Sequence, residues 1–258
     1  MNKTLLEKTA DKLVNAFIKN KIIAPLPLKY TKKLSNAQKL RKLCESKIKD
    51  PIIGFKVAGT GIPVMKKLNE KEPFYASIFK RNFLKSGKKV KINKSTLGIE
   101  LEVCYLIKKN FFLNKEIITM KNISKFISHM APCIEVVGYR QRKKGITSFG
   151  DLCSDFGANI KFLIGQKKKY KKINIENLKT VISNKKINQS VSGNTNTVYI
   201  NPLNSLRFVL NKLKKDKINL DKEFYVFTGS TVGVVPILGK GLYTGKVDKL
   251  GSAKAIIH

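Results

Sequence analysis

The stretch "GIELEVCYLI", residues 98–107, sets two carboxylates, Glu100 and Glu102, into an otherwise apolar run. Successive side chains of a β-strand point to opposite faces, so Ile99, Leu101 and Val103 share one face and the two glutamates share the other. If that second face meets water, the pair is ordinary surface. If it is buried, two like charges lose hydration and repel, and their pKa values rise. A divalent cation removes that penalty, because Mg2+ takes hard oxygen ligands from a few carboxylates and keeps positions open for water or substrate. Glu135 bears on the choice: in "APCIEVVGY" it stands between Ile134 and Val136, again a lone carboxylate on an apolar strand. The chain holds 17 acidic residues against 52 basic ones. Three carboxylates on two apolar strands suit an octahedral oxygen site with about three protein ligands, although spacing alone leaves the surface reading open.

Lys56, in "IIGFKVAGTG", follows apolar residues and a glycine and precedes a Gly-rich turn. In so basic a chain a lysine is a surface residue by default. Its strand-like apolar setting is what would bury the stem and aim the ammonium into a site. Other motifs carry less. "GTGIPV" departs from a dinucleotide fingerprint, since Val64 stands where the third glycine belongs and Pro63 would interrupt the helix. "GVVPILGKG" lacks the spacing of a phosphate loop, and no Ser or Thr follows Lys240. "SIFK" (77–80) is a chance match to SxxK. His129, near the end of a helical pattern, reads as a helix cap rather than as an acid or base.

Such residues need strands to hold them. Patterning predicts strands over 52–59, 99–107, 133–139, 158–165, 196–200, 223–229 and 231–238. Helical patterns over 61–70, 121–130, 174–183 and 203–215 interrupt them. Ahead of the strands, residues 4–20 read as an amphipathic helix with Leu6, Ala10, Leu13, Val14, Phe17 and Ile18 on one stripe. Pro25 and Pro27 rule out its continuation. A second helix is expected over 37–48, and Pro51 marks a boundary. Many strands with a few interspersed helices indicate an α+β or mixed β fold rather than a regular βαβ repeat. The expected division is a helical N-terminal region, 1–50, and a β domain, 51–258.

A length of 258 residues with 42% hydrophobic content supports a sizeable core. The net charge of +35 would suit a nucleic-acid binder. However, the arginines are only Arg41, Arg81, Arg140, Arg142 and Arg207, and arginine is preferred for bidentate phosphate and guanine contacts. The lysines are spread along the chain, with one dense run over 166–172. A solvated lysine-rich surface is therefore expected, with no nucleic-acid partner, and its positive field would attract small anionic substrates. Cys44, Cys104, Cys133 and Cys153 form no CxxC pair, which argues against structural zinc and for a reduced compartment. The charged start lacks the apolar core of a secretory signal. No apolar run approaches the roughly 20 residues needed to span a bilayer. A cytoplasmic protein without a membrane partner is the expectation.

Taken in order, "IAPLP", "GFKVAGTG", "EPFYASIF", "IELEVCYLI", "APCIEVVGYR", "SDFGANIKFLIG", "NPLNSLRFVLNKL", "FTGSTVGVVPI" and "LGSAKAII" resemble the fumarylacetoacetate hydrolase superfamily, in its 2-keto-4-pentenoate hydratase and 4-oxalocrotonate decarboxylase branch. The resemblance runs from residue 23 almost to the end. It implies a mixed β-roll with a small helical N-terminal region, usually in homo-oligomers. It also implies that Glu100, Glu102 and Glu135 match the family's ligands for Mg2+ or Mn2+, that Lys56 matches its active-site lysine, and that the retained Asp155 is catalytic with it. The implied activity is a metal-dependent lyase, a hydratase of a 2-hydroxy-2,4-dienoate, acting on a small anionic 2-oxo acid. A decarboxylase, an acylpyruvate hydrolase and a non-catalytic relative are the alternatives. Departures fall at Phe74, where relatives carry an acid, and at Phe156 and Ala158, which replace Asn and Ser.

Overall fold

Thr4 opens the first helix, α1 (Leu5–Lys19), with a reciprocal cap: its hydroxyl accepts from the Glu7 N–H, and the Glu7 carboxylate accepts from the Thr4 N–H. Asn20 closes it in the left-handed region at φ 47°. The short α2 (Leu28–Thr31) and then α3 (Leu34–Lys47) follow. Ala10, Leu13 and Phe17 of α1 pack with Leu40 and Cys44 of α3, and that cluster reaches Ala76, Phe79 and Phe156. The structure, a computed structural model, describes residues 4–141, 146, 148–171 and 173–258. Arg142 and Lys172, the last residue of the lysine run, lie outside them.

Thirteen strands follow among the described residues: β1 (Ile52–Ala58), β2 (Phe74–Phe79), β3 (Phe83–Lys85), β4 (Lys89–Val90), β5 (Thr96–Ile107), β6 (Ile127–Gly138), β7 (Asn159–Ile164), β8 (Lys168–Lys169), β9 (Lys179–Asn184), β10 (Gln189–Asn194), β11 (Phe224–Ser230), β12 (Gly241–Val247) and β13 (Gly251–Ile257). They form an eight-stranded sheet in the order β2-β1-β11-β5-β6-β7-β3, with β8 against β6, and a five-stranded sheet in the order β10-β9-β12-β13-β4. Both are mixed: β1 runs parallel to β11 and β13 to β4, while β5 pairs antiparallel with β6 along most of its length. Helices α4 (Ile62–Lys67), α5 (Phe149–Ser154) and α6 (Pro202–Lys215) complete a mixed α/β architecture of curled sheets. No helix among the described residues is long and apolar enough to cross a membrane.

The main core lies between the sheets. Leu101, Val103, Ile134 and Val136 from the first meet Ile182, Tyr243 and Ala253 from the second, and Leu206, Leu210 and Leu213 of α6 join them. Close approach of β1 to β11 depends on Gly54, where an added Cβ would stand 2.4 Å from the Tyr225 carbonyl oxygen. Gly54→Ala is expected to cost about 2–3 kcal/mol by forcing the strands apart, read as a lowered urea midpoint.

Several elements differ from their sequence patterns. The span 174–183 is not helical: β9 buries Thr180, Ile182 and Asn184, and polar residues at two of three inward positions hide the alternation. Residues 121–130 give only a short 3-10 turn, Ile123–Phe126, before β6 begins, because pairing with β5 overrides local preference. His129 therefore sits on a strand, opposite Leu106, rather than at a helix end. Residues 231–238 form a loop in which Val235 alone bridges to Ile99. Gly233 at φ 74° and Pro236 prevent a ladder there. Residues 196–200 likewise hold a 3-10 turn, Thr195–Thr197, and a single bridge from Val198 to Gly61.

Candidate metal centre

Register assembles the acids. In the β5–β6 ladder Glu100 lies directly opposite Glu135, and Glu102 opposite Cys133. Residues directly opposite share a face. All three carboxylates therefore project from the side of the sheet that faces away from the inter-sheet core. One oxygen from each lies within 4.8 Å of the others. Glu102 and Glu135 are fully buried, while Glu100 is partly open to an adjoining cavity.

Lys56 reaches this cluster from β1. Three places in strand order separate β1 from β6, roughly 14 Å on a flat sheet. Curling of the sheet closes that gap, and Lys56 Nζ donates to Glu135 Oε1 at 2.6 Å. A second bond from Nζ goes to the Gly157 carbonyl at 2.8 Å. That carbonyl belongs to a tight turn in which Phe156, Gly157 and Ala158 all take positive φ. Between β1 and β5, strand β11 carries a bulge beyond Phe227. There Gly229, at φ 108°, donates its N–H to Glu102 Oε2 at 2.9 Å. A Cβ at Gly229 would stand 2.1 Å from Thr60 Oγ1. The Gly157 carbonyl and the Gly229 N–H are site groups that the side-chain pattern did not flag. A glycine at a strand end in "FTGS" is the only trace of the second.

The electrostatics favour an added cation. Burial raises all three carboxyls. Glu100 is pushed up to about 7, with Lys56 pulling it down and Glu102 pushing it further up. Glu102 is also raised by burial, against the pull of Lys56, and Glu135 stands well above the usual range for the same leading reason. Burial works against the Lys56 ammonium, but Glu135, Glu100 and Glu102 outweigh it and hold the group protonated. One ammonium cannot balance three carboxylates. Among the described residues no donor reaches the buried Glu102 Oε1 or Glu135 Oε2, a cost that a coordinated ion would remove. Three hard oxygen donors beside an open cavity fit a divalent cation that keeps positions for substrate.

Asp155 stands apart from this cluster. Its carboxylate accepts from the Arg140 backbone N–H at 2.6 Å and from Arg140 Nη1 at 2.8 Å. Arg140 also donates to the Asn159 carbonyl and lies over the Phe17 ring. Asp155 thus anchors one end of the 155–158 turn that presents the Gly157 carbonyl. Phe156 is fully buried with its ring centroid 4.4 Å from that of Phe17, and Phe74 packs edge-on against Phe149. Both phenylalanines are core residues.

No family model matches the sequence, and no curated protein does. Solved structures do. Over 100% of both chains, this chain superposes on 4-oxalocrotonate decarboxylase from Pseudomonas putida G7, complexed with magnesium and adipate, with a TM-score of 0.86 and 19% identity. The same enzyme complexed with calcium and acetate gives 0.84 at 18% identity, again over 100% of both chains. Fumarylpyruvate hydrolase from Pseudomonas aeruginosa, in complex with Mn2+ and pyruvate, matches at TM-score 0.57 and 12% identity, over 82% of this chain and 91% of that one. The chain has the fumarylacetoacetate hydrolase fold.

Within this fumarylacetoacetate hydrolase fold the acidic cluster should make stability depend on pH. Glu100 titrates near 7 when folded, against its ordinary 4.5. Between those values the folded state keeps a proton that the unfolded chain has released. The stability it contributes is present below about pH 4.5 and lost as pH rises through 7. In EDTA, Tm should fall across that window. Saturating Mg2+ should reverse the fall, because a cation binds the deprotonated form. Scanning calorimetry from pH 5 to 8 checks this. A flat EDTA profile would mean that the carboxylates are hydrated rather than buried.

Proposed function

We propose that the chain is a divalent-metal-dependent lyase that hydrates a 2-hydroxy-2,4-dienoate. The observation that carries the reading is the convergence of Glu100, Glu102, Glu135 and Lys56 beside one cavity of about 780 Å3. Glu100, Glu102 and Glu135 would hold Mg2+ or Mn2+, the kinds of ion seen with the structural neighbours. When bound, such an ion supplies Lewis-acid polarisation of the carboxylate and 2-oxo oxygens of a substrate.

The chain's own groups do the rest. Lys56 starts as an ammonium fixed by the Gly157 carbonyl, so it serves first as a clamp for an anionic substrate and as a proton donor to carbon. Gly229 N–H fixes the orientation of the Glu102 carboxylate. Asp155 acts at a distance, by holding Arg140 and the turn behind Lys56. Among the described residues lining the cavity, only Lys56, Lys67 and Glu100 carry ionisable side chains. Proton movement between the dienol and enone forms therefore falls to Lys56.

Decarboxylation is the second reading, favoured by the full-length likeness to 4-oxalocrotonate decarboxylase. A product assay separates the two. With Mg2+, 2-hydroxypenta-2,4-dienoate should lose its dienol absorbance and give 4-hydroxy-2-oxopentanoate, and EDTA should stop the reaction. Release of CO2 from 4-oxalocrotonate without hydration of the dienoate would favour the second reading. Turnover of neither would refute both.

A further inference from the structure

We propose that the substrate is a monocarboxylic 2-oxo or 2-hydroxydienoic acid carrying an extended alkyl or aryl arm, which an apolar rim on the cavity receives. This rests on the function proposed above and specifies the substrate for the same site. Two independent observations carry it. The first is what the cavity leaves exposed. Ile62 and Val64 of α4, Leu97 at the start of β5 and Val234 in the 231–238 loop line it with 37%, 47%, 48% and 51% of their surface in water. Three separate segments thus converge to present large apolar side chains at one mouth. Isolated exposed apolar residues are ordinary, whereas a grouped set beside a site marks a binding surface.

The second observation is the charge census. A dicarboxylate is held most strongly by a second cation at the end remote from the carboxylate cluster. Lys56, bonded to Glu135 and Gly157, stands at the carboxylate cluster itself and so serves the first carboxylate. Lys67 is the remaining ionisable group of positive charge among the described lining residues, and it sits exposed in the last turn of α4. A solvated lysine contributes little to binding a carboxylate. The volume of about 780 Å3 also lies in the range that buries drug-sized molecules. A five-carbon acid would leave much of it filled with water and leave the rim wet.

Binding of unreactive saturated analogues tests this without turnover. Calorimetry with Mg2+-loaded protein would compare 2-oxopentanoate, 2-oxooctanoate and 2-oxoadipate. Each buried methylene should tighten binding about fourfold, hence roughly fiftyfold from the pentanoate to the octanoate at full burial. 2-Oxoadipate should bind no more tightly than 2-oxopentanoate. Val64→Arg, at a half-exposed position that the core does not need, should abolish the chain-length gain and strengthen 2-oxoadipate. Equal affinity along the alkyl series, or tightest binding of 2-oxoadipate, would overturn the proposal while leaving the 2-oxo acid site intact. If Mg2+ binds but no 2-oxo acid does, the underlying functional reading fails and this proposal falls with it. If chain length has no effect and Val64→Arg instead dissociates a dimer in sedimentation, the rim is a contact between copies and the proposal is overturned.

Discussion

Glu102→Gln is expected to lower turnover to the level seen in EDTA and to weaken Mg2+ binding by at least about a hundredfold. Loss of a mere outer-shell partner of a metal ligand costs 10–100-fold, and here a proposed ligand oxygen and its charge both go. The substitution is close to isosteric, and its amide oxygen can still accept from the Gly229 N–H. Folding should therefore survive. The metal-free variant should unfold at the same temperature as the parent or higher, because a fully buried charge has been removed from beside Glu135. That pairing of results, lost metal with retained stability, is specific to a ligand. A variant that lost turnover but bound Mg2+ with parental affinity would show that Glu102 is not a ligand.

Asp155→Ala should produce the opposite signature, a large loss of stability. Breaking a buried ion pair from one side costs about 3–5 kcal/mol, which lowers Tm by about 10 °C in a chain of this size. Arg140 has no escape, since a guanidinium cannot shed its proton at accessible pH. Lys56 differs in this respect: if it is removed, the neighbouring carboxylates can take up protons. The pair itself is not a strong stabiliser, for burial pushes the Asp155 carboxyl up despite the pull of Arg140. Replacing both partners, as in Asp155→Leu with Arg140→Met, should therefore recover most of the lost stability. Turnover should stay low in the double variant, because the turn carrying the Gly157 carbonyl has lost its anchor. A parental Tm for Asp155→Ala would remove the structural role assigned here.

Particular residues show how much could be read in advance. Glu100, Glu102 and Glu135 stood out because acids are rare in the chain and because strand periodicity places i and i+2 together. Lys56 stood out through its apolar flanks. Helices α1 and α6 followed from a 3.6-residue period that tertiary contacts did not contest. The strands of the second sheet were harder, since Thr180 and Asn184 are polar yet buried in β9. Asp155 could be singled out as an acid, but not as the partner of Arg140, because the contact spans an irregular turn rather than a ladder.

By itself, then, the sequence determined which side chains were available for chemistry and which strand faces they would share, because alternation is a local property of the backbone. Only the tertiary structure decided that those faces meet. The bond from Lys56 to Glu135 joins residues 79 apart in sequence and depends on how far a sheet curls. The Gly157 carbonyl and the Gly229 N–H act through atoms that every residue possesses, so no residue type announces them. Whether the buried face would be compensated depended on burial, a property of the whole packed molecule. That burial leaves three carboxylates facing one ammonium.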